Sequence, residues 1–245
     1  MTAGPTGAAD PGGAPHPAFT VDPFTDGCRT VWDRREHALL GVSPGNGYFN
    51  VALLTRLLGW LCAEFARVDV VVPDSALVHT YLALGYEPQR ARRKARGETN
   101  VLRNRVDRAW RAGGGPREGD GLHRMSDLAA HPVYRERLAE AERALREDDA
   151  LAGTCAEMSR EVLRARGHTG PPAPERVERA TRYLAAELPF FLASADIFDV
   201  PSSLNFYHQP LPLAELLYAG KSVLQPPPWQ GYATIRPAPA DPRPD

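Results

Sequence analysis

Residues 37–50 read HALLGVSPGNGYFN, and the fold follows from how that stretch is parsed. Ala38, Leu39, Leu40, Gly41 and Val42 form an unbroken apolar run, the pattern of a strand covered on both faces rather than one with a wet side. Ser43 follows, and Pro44, Gly45, Asn46 and Gly47 break the run with turn residues. From Tyr48 to Arg67 the apolar positions Val51, Leu54, Leu57, Leu58, Leu61 and Phe65 recur at helical spacing. Val68 to Pro73 is a second apolar run, valine-rich in the manner of a buried strand. Strand, loop, helix and strand make a βαβ unit. Ligands of sheets built this way bind beyond the carboxyl ends of the strands, and Ser43 falls at such an end.

Outside this unit the composition sets limits. A chain of 245 residues, 43% hydrophobic, buries one sizeable core and is expected to form one domain. A formal net charge of −1 predicts no general attraction to polyanions, so nucleic-acid contact requires a local patch. Cys28, Cys62 and Cys155 lie far apart, which argues against a disulfide framework and against a zinc site, and points to the reducing cytoplasm. The start, MTAGPTGAADPGGAPHPAF, has neither a basic segment nor an apolar h-region, and no apolar run is long enough to span a membrane. Residues 1–22 read as a disordered Gly/Ala/Pro-rich arm, 23–235 as the folded domain and 236–245 as a disordered Pro-rich tail.

Along the domain, a short helix is expected over Leu77 to Leu84, then a basic helix over Pro88 to Gly113 that Gly97 kinks or splits. Leu122 to Met125 reads as a short strand before Ser126, a good N-cap. Pro132 to Arg166 is helical, as two helices meeting near Asp148 to Leu151. A helix over Glu175 to Leu188 is expected to end at Pro189. Ile197 to Val200 and Leu204 to Tyr207 read as strands around the turn Pro201-Ser202-Ser203, Leu213 to Tyr218 as a helix, and Tyr232 to Ile235 as an edge strand. Short apolar strands separated by helices define an α/β, Rossmann-like domain, a mostly parallel sheet flanked by helices.

Gly41-Val42-Ser43-Pro44-Gly45 matches the G-x-S-x-G nucleophile elbow of serine hydrolases. That elbow uses the N–H of the residue after serine as an oxyanion donor, and Pro44 has none. A serine that merely caps the next helix is the plain alternative.

A strand ending Gly-x-Ser, followed by Asn46 and Tyr48-Phe49, resembles the first motif of the cyclodipeptide synthases. Tyr183-Leu184-Ala185-Ala186-Glu187-Leu188-Pro189 is similar to the family's Tyr-x-x-x-Glu motif with its proline, and Val200-Pro201-Ser202-Ser203 with Tyr207-His208 is similar to its third. Asp69 to Val72, Asp74 and the stretch Ala152 to Met158 also resemble the family. The matches run in family order from about Glu36 to His208. The resemblance implies a fold like that of class I tyrosyl- and tryptophanyl-tRNA synthetase catalytic domains. It also implies two aminoacyl-tRNAs as substrates, a cyclic dipeptide as product and downstream tailoring enzymes as further partners.

On that resemblance Ser43 carries the first aminoacyl group as an ester, and Tyr183 and Glu187, one turn apart on a helix, hold its ammonium. Glu187 would later accept a proton, a task that favours a raised pKa. Tyr207 orients the aminoacyl group and Asn46 the catalytic loop. Leu39, Gly41, Val71, Phe190 and Asn205, with His208 beside them, are expected around the side-chain pocket, Asn205 being the polar exception. An aminoacyl-tRNA is already an activated ester, so the chemistry calls for no cofactor, ATP or metal. Arg90, Arg92, Arg93, Lys94, Arg96, Arg103, Arg105 and Arg108, with Arg111, concentrate positive charge on one helix, which the resemblance assigns to tRNA. Two other readings stand beside this one: a catalytically silent RNA-binding domain, and a serine hydrolase.

Overall fold

The two apolar runs do form neighbouring parallel strands. A computed structural model describes residues 18–239. In chain order these residues form Phe19–Pro23 (β1), Asp26–Arg34 (α1), His37–Gly41 (β2), Val51–Glu64 (α2), Arg67–Val72 (β3), Leu77–Ala83 (α3) and Pro88–Ala112 (α4). Gly121–Arg124 (β4), Met125–Leu128 (α5), Pro132–Glu147 (α6), Asp149–Ala165 (α7), Pro174–Ile197 (α8), Ser203–Tyr207 (β5), Pro212–Tyr218 (α9) and Gln230–Pro237 (β6) follow. The sheet order is β1-β6-β5-β2-β3-β4, and every neighbouring pair is parallel except β1 with β6. From β2 the chain winds outward through β3 and β4, then returns to place β5 on the other side of β2. The strand order therefore reverses between β2 and β5, the place where α/β sheets open a crevice at their carboxyl ends.

Alternation divides the strand residues between two faces. Ala38, Leu40, Val68, Val70, Val72, Leu204 and Phe206 meet Leu54, Leu57, Leu58 and Leu61 of α2 and Leu102, Val106 and Trp110 of α4 in one buried cluster. Each fully buried leucine contributes about 1.5–3 kcal/mol, so this stripe fixes how α2 lies on the sheet. Leu39 and Val71 face the other way, toward Phe190, Ile197 and Phe198 at the end of α8 and Tyr134 of α6.

Several expectations are corrected. Residues 1–17 of the expected arm and 240–245 of the expected tail lie outside the described residues. Phe19 to Asp22, however, belong to β1, because Phe19 and Val21 alternate inward beside β6. Arg236 and Pro237 likewise complete β6, and β6 is not an edge, since β1 covers it. Helix α2 begins at Val51 rather than Tyr48 because the Asn50 side chain accepts from Leu53 N at 2.9 Å and caps it. Helix α4 runs unbroken through Gly97, whose exposed face asks nothing of a side chain. Ser126 is no cap: Arg124 holds that position, and Ser126 N donates to Asp74 at 3.0 Å.

The largest departure is α8, which continues past Pro189 to Ile197. A proline inside a helix costs about 3 kcal/mol, and burial of Phe190, Phe191 and Leu192 returns about 1.5–3 kcal/mol each. The break falls instead at Ala193 (φ −153, ψ 32). Ile197 to Val200 is thus the helix end and a turn with Asp199 at φ 52, not a strand.

Candidate active site

Ser43 lies just beyond β2 and Tyr207 ends β5, so the strand reversal brings together residues 164 positions apart: their hydroxyls are 2.8 Å from one another. Ser43 caps no helix, since α2 takes Asn50. Its loop turns through Gly45 at φ +77, a conformation glycine adopts without strain. The Asn46 side chain braces the turn: Oδ1 accepts from Tyr48 N at 2.9 Å, which leaves Nδ2 to donate to His208 Nε2 at 3.0 Å. His208 Nε2 must then be the unprotonated acceptor, and burial pushes the pKa of this ring below its usual value, in keeping with a neutral imidazole.

Ser43 and Tyr207 face a cavity of about 490 Å³ between the carboxyl ends of the strands and helices α7 and α8. Leu39, Gly41, Val71, Phe190 and Asn205, the residues expected as walls, all line it, with Met125 and Met158. His208 does not line it; its ring stacks on Tyr48 at 4.3 Å, behind Tyr207, and acts on the site through Asn46. Asn205 presents no unsatisfied amide to the cavity. Its Nδ2 donates to Phe190 O at 2.7 Å, a carbonyl that also accepts from Ser194 Oγ, and its Oδ1 accepts from Gln230 Nε2 at 3.3 Å.

Tyr183 and Glu187 enter the same cavity from α8. Burial pushes the Glu187 carboxyl up to about 7, against the Tyr183 hydroxyl hydrogen bond that lowers it. Glu187 keeps some accessible surface where it borders the cavity and is otherwise enclosed by protein. Burial, with Glu187 beside it, lifts Tyr183 well above the usual tyrosine value. Burial also raises Tyr207, so both phenols are protonated at neutral pH. The result is Glu187, poised to take or give a proton, beside the hydroxyls of Tyr183, Tyr207 and Ser43 in a largely apolar chamber whose lining also includes Glu161 and Tyr232.

No imidazole bonds to Ser43. The molecule does contain a Ser-His-Asp chain, but elsewhere: Ser203 Oγ to His37 Nδ1 at 2.8 Å and His37 Nε2 to Asp69 at 3.1 Å, all three fully buried. Asp69 also accepts from His123 at 2.6 Å and Arg67 at 2.7 Å. Burial opposes its ionisation, yet these donors hold its carboxyl well below the usual range. With Ser203, His37 and Asp69 buried and none of the group lining the cavity, these contacts join β2, β3, β4 and β5. Sequence reading singled out Asp69 but not its partners, because they meet only through the sheet register. Among the described residues no group of three or more His, Cys, Asp or Glu side chains is arranged to hold a metal ion.

Of the basic residues on α4, Arg90, Arg92, Arg93, Lys94, Arg96, Arg103 and Arg108 are exposed. Arg105 is not part of that surface. It is half-buried and donates to Phe49 O at 2.9 Å, fastening α4 to the segment that follows the Ser43 loop. Arg111 is exposed but pairs with Asp107 at 3.2 Å. Glu98 and Arg166, which sequence reading did not assign to the site, meet beside Pro44.

Fold and site together define a Rossmann-like α/β domain with a serine, two tyrosines and a carboxyl gathered at the strand-order reversal. The cyclodipeptide synthase family model matches residues 19–237, and the chain belongs to that family. It is 37% identical over 227 residues to the cyclo(L-tyrosyl-L-tyrosyl) synthase of Mycobacterium tuberculosis, covering 89% of this chain and 76% of that one. It is 33% identical over 223 residues to the cyclo(L-leucyl-L-leucyl) synthase of Bacillus subtilis, covering 89% of each. A solved M. tuberculosis structure, described as demonstrating that cyclodipeptide synthetases are related to type I tRNA synthetases, superposes with a TM-score of 0.77 at 35% identity. That match covers 91% of this chain and 94% of the other. The chain is thus an enzyme of the peptide-bond-forming, aminoacyl-transferring kind.

Proposed function

We propose that this enzyme takes two aminoacyl-tRNAs and releases a cyclic dipeptide, a 2,5-diketopiperazine, by ping-pong catalysis through an ester on Ser43. Ser43 Oγ attacks the aminoacyl ester, a new ester forms, and the departing ribose oxygen takes the serine proton. Glu187 and Tyr183 hold the ammonium of the bound aminoacyl group. The amine of the second aminoacyl-tRNA then attacks the Ser43 ester, forming an amide and returning the serine hydroxyl. Glu187, with its carboxyl near 7, is suited to take up the proton an amine must shed. The freed amine of the dipeptidyl-tRNA finally attacks its own ester, closing the ring and expelling the second tRNA.

The observation that carries this reading is that Ser43, Tyr183, Glu187 and Tyr207 share one chamber whose other walls are largely apolar. No general base touches Ser43, and none is required when one ester is exchanged for another. The apolar walls Leu39, Val71, Met125 and Phe190 favour a bulky aliphatic or aromatic first side chain. The exposed arginines of α4 supply phosphate contacts that read no sequence, so several tRNAs are accepted. Such substrates place the enzyme in the cytoplasm, with downstream tailoring enzymes as consumers of the product. Among the described residues no helix is long and apolar enough to cross a membrane.

Expression in a bacterial host, with mass spectrometry of the medium, tests the proposal. A new cyclic dipeptide that vanishes with Ser43→Ala and with Glu187→Gln is expected. Soluble wild-type protein that makes none, even in lysate rich in charged tRNA, contradicts it.

A further inference from the structure

The Ser43 loop is gripped from outside the cavity by a side chain that the mechanism above does not use. Arg166 caps the end of α7, and its guanidinium, 20% exposed, reaches three elements at once. Nη2 donates to Pro44 O at 3.0 Å and to Glu98 at 3.1 Å, and Nη1 donates to Glu98 at 3.1 Å and to Tyr81 Oη at 3.2 Å. Pro44 directly follows the proposed nucleophile and offers no N–H, so its carbonyl is the one backbone hydrogen-bonding group that residue has. At Gly45 an added Cβ would lie 3.3 Å from Arg166 Nη2, so the turn and the guanidinium are shaped to each other. The only backbone bond across the turn itself is the long one from Asn46 N to Ser43 O, 3.3 Å.

Glu98 sits on α4 one turn beyond the exposed Lys94, amid the exposed arginines. A chain of contacts therefore runs from the basic helix through Glu98 and Arg166 to Pro44 and Ser43. We propose that Arg166 is a positioning residue: it fixes Ser43 for acyl transfer and, through Glu98, fastens the nucleophile loop to the helix that receives tRNA. This rests on the reading that Ser43 carries the acyl group. The planar fork of arginine engages a carbonyl and a carboxylate together, whereas lysine brings a single point charge.

The test compares the wild type with Arg166→Met, Arg166→Lys, Glu98→Gln and Arg92→Ala. The rate of aminoacyl transfer from purified charged tRNA to the protein and the affinity for that tRNA are measured separately. Arg166→Met should lose on the order of 10²-fold in transfer rate at saturating tRNA with affinity within about twofold of wild type. Arg166→Lys and Glu98→Gln should fall between, and Arg92→Ala should weaken affinity while keeping the saturating rate. Wild-type transfer by Arg166→Met overturns the proposal, as does a loss in affinity alone, which would make Arg166 a tRNA contact. Should Arg166→Met fail to fold, full transfer rates in both Arg166→Lys and Glu98→Gln overturn it equally. Failure of the wild type to form any acyl-protein instead overturns the Ser43 reading beneath it.

Discussion

Ser43 Oγ lies 2.8 Å from Tyr207 Oη, and the two residues stand on opposite sides of the strand-order reversal. With Tyr207 protonated, its hydroxyl can donate to Ser43, which leaves the serine proton directed toward the departing ribose oxygen. Tyr207→Phe removes that one hydrogen bond and keeps the ring. A loss of up to about tenfold in acyl transfer is expected, matching a net hydrogen bond of about 0.5–1.5 kcal/mol. Ser43→Ala should abolish transfer. Single-turnover kinetics on both variants distinguish an orienting role from the nucleophile.

Burial of the Glu187 carboxyl costs stability. Its carboxyl is lifted from 4.5 to about 7, so between those values the folded state holds a proton that the unfolded state has released, and stability falls as pH rises. Glu187→Gln should therefore raise the melting temperature at pH 8 by on the order of 10 °C, from roughly 3 kcal/mol, while eliminating product. The same titration predicts that wild-type activity falls as pH drops through about 7, where the carboxylate that would hold an ammonium is lost. Thermal melts and a pH–rate profile check the two halves.

Asn205 tests whether a polar wall residue sets substrate preference. Because its amide is spent on Phe190 O and Gln230 Nε2, Asn205→Leu should leave the buried Gln230 amide without its acceptor and destabilise the protein by about 1–3 kcal/mol. Urea denaturation measures the loss. A variant of undiminished stability with a new product would show that the amide faces the substrate instead.

The buried His37 and Asp69 group predicts acid sensitivity. Burial depresses His37, so below about 6.5 the unfolded chain binds a proton that the folded chain does not, and stability falls. Asp69, held low, extends that loss as pH drops through the ordinary carboxylate range. Glu187 has the opposite sign between 4.5 and about 7, so the measurement is made in Glu187→Gln. Denaturation midpoints should decline steadily from pH 7.5 to 4 in that background.

On α4, Arg92→Ala and Arg96→Ala should each weaken tRNA binding and lower the slope of log affinity against log salt by about 0.7–0.9. Arg105→Ala should leave that slope unchanged and destabilise the fold, because its guanidinium holds Phe49 O. Binding isotherms over a salt series separate the two.

What could be read from the sequence follows the range of the forces involved. β2, α2 and β3 were legible because burial on both faces leaves a continuous apolar run and a helical stripe in between. β1 was not, because only Phe19 and Val21 signal it and their partner strand lies more than two hundred residues away. The end of α8 was misread because a local rule about Pro189 was outweighed by burial of the residues after it, which no local rule contains. In the site, Ser43, Tyr183, Glu187 and Tyr207 stood in recognisable motifs. Arg166 and Glu98 carried no motif, and His37 and His123 find Asp69, and Ser203 finds His37, only once the sheet has formed.

The central claim is a covalent ester on Ser43. Purified protein is mixed with tRNA charged with a labelled amino acid, quenched in acid, digested and analysed by mass spectrometry. One aminoacyl group on the peptide containing Ser43, absent from Ser43→Ala and chased into a cyclic dipeptide by further aminoacyl-tRNA, is the expected result. Cyclic dipeptide formed at the wild-type rate by Ser43→Ala would contradict the account.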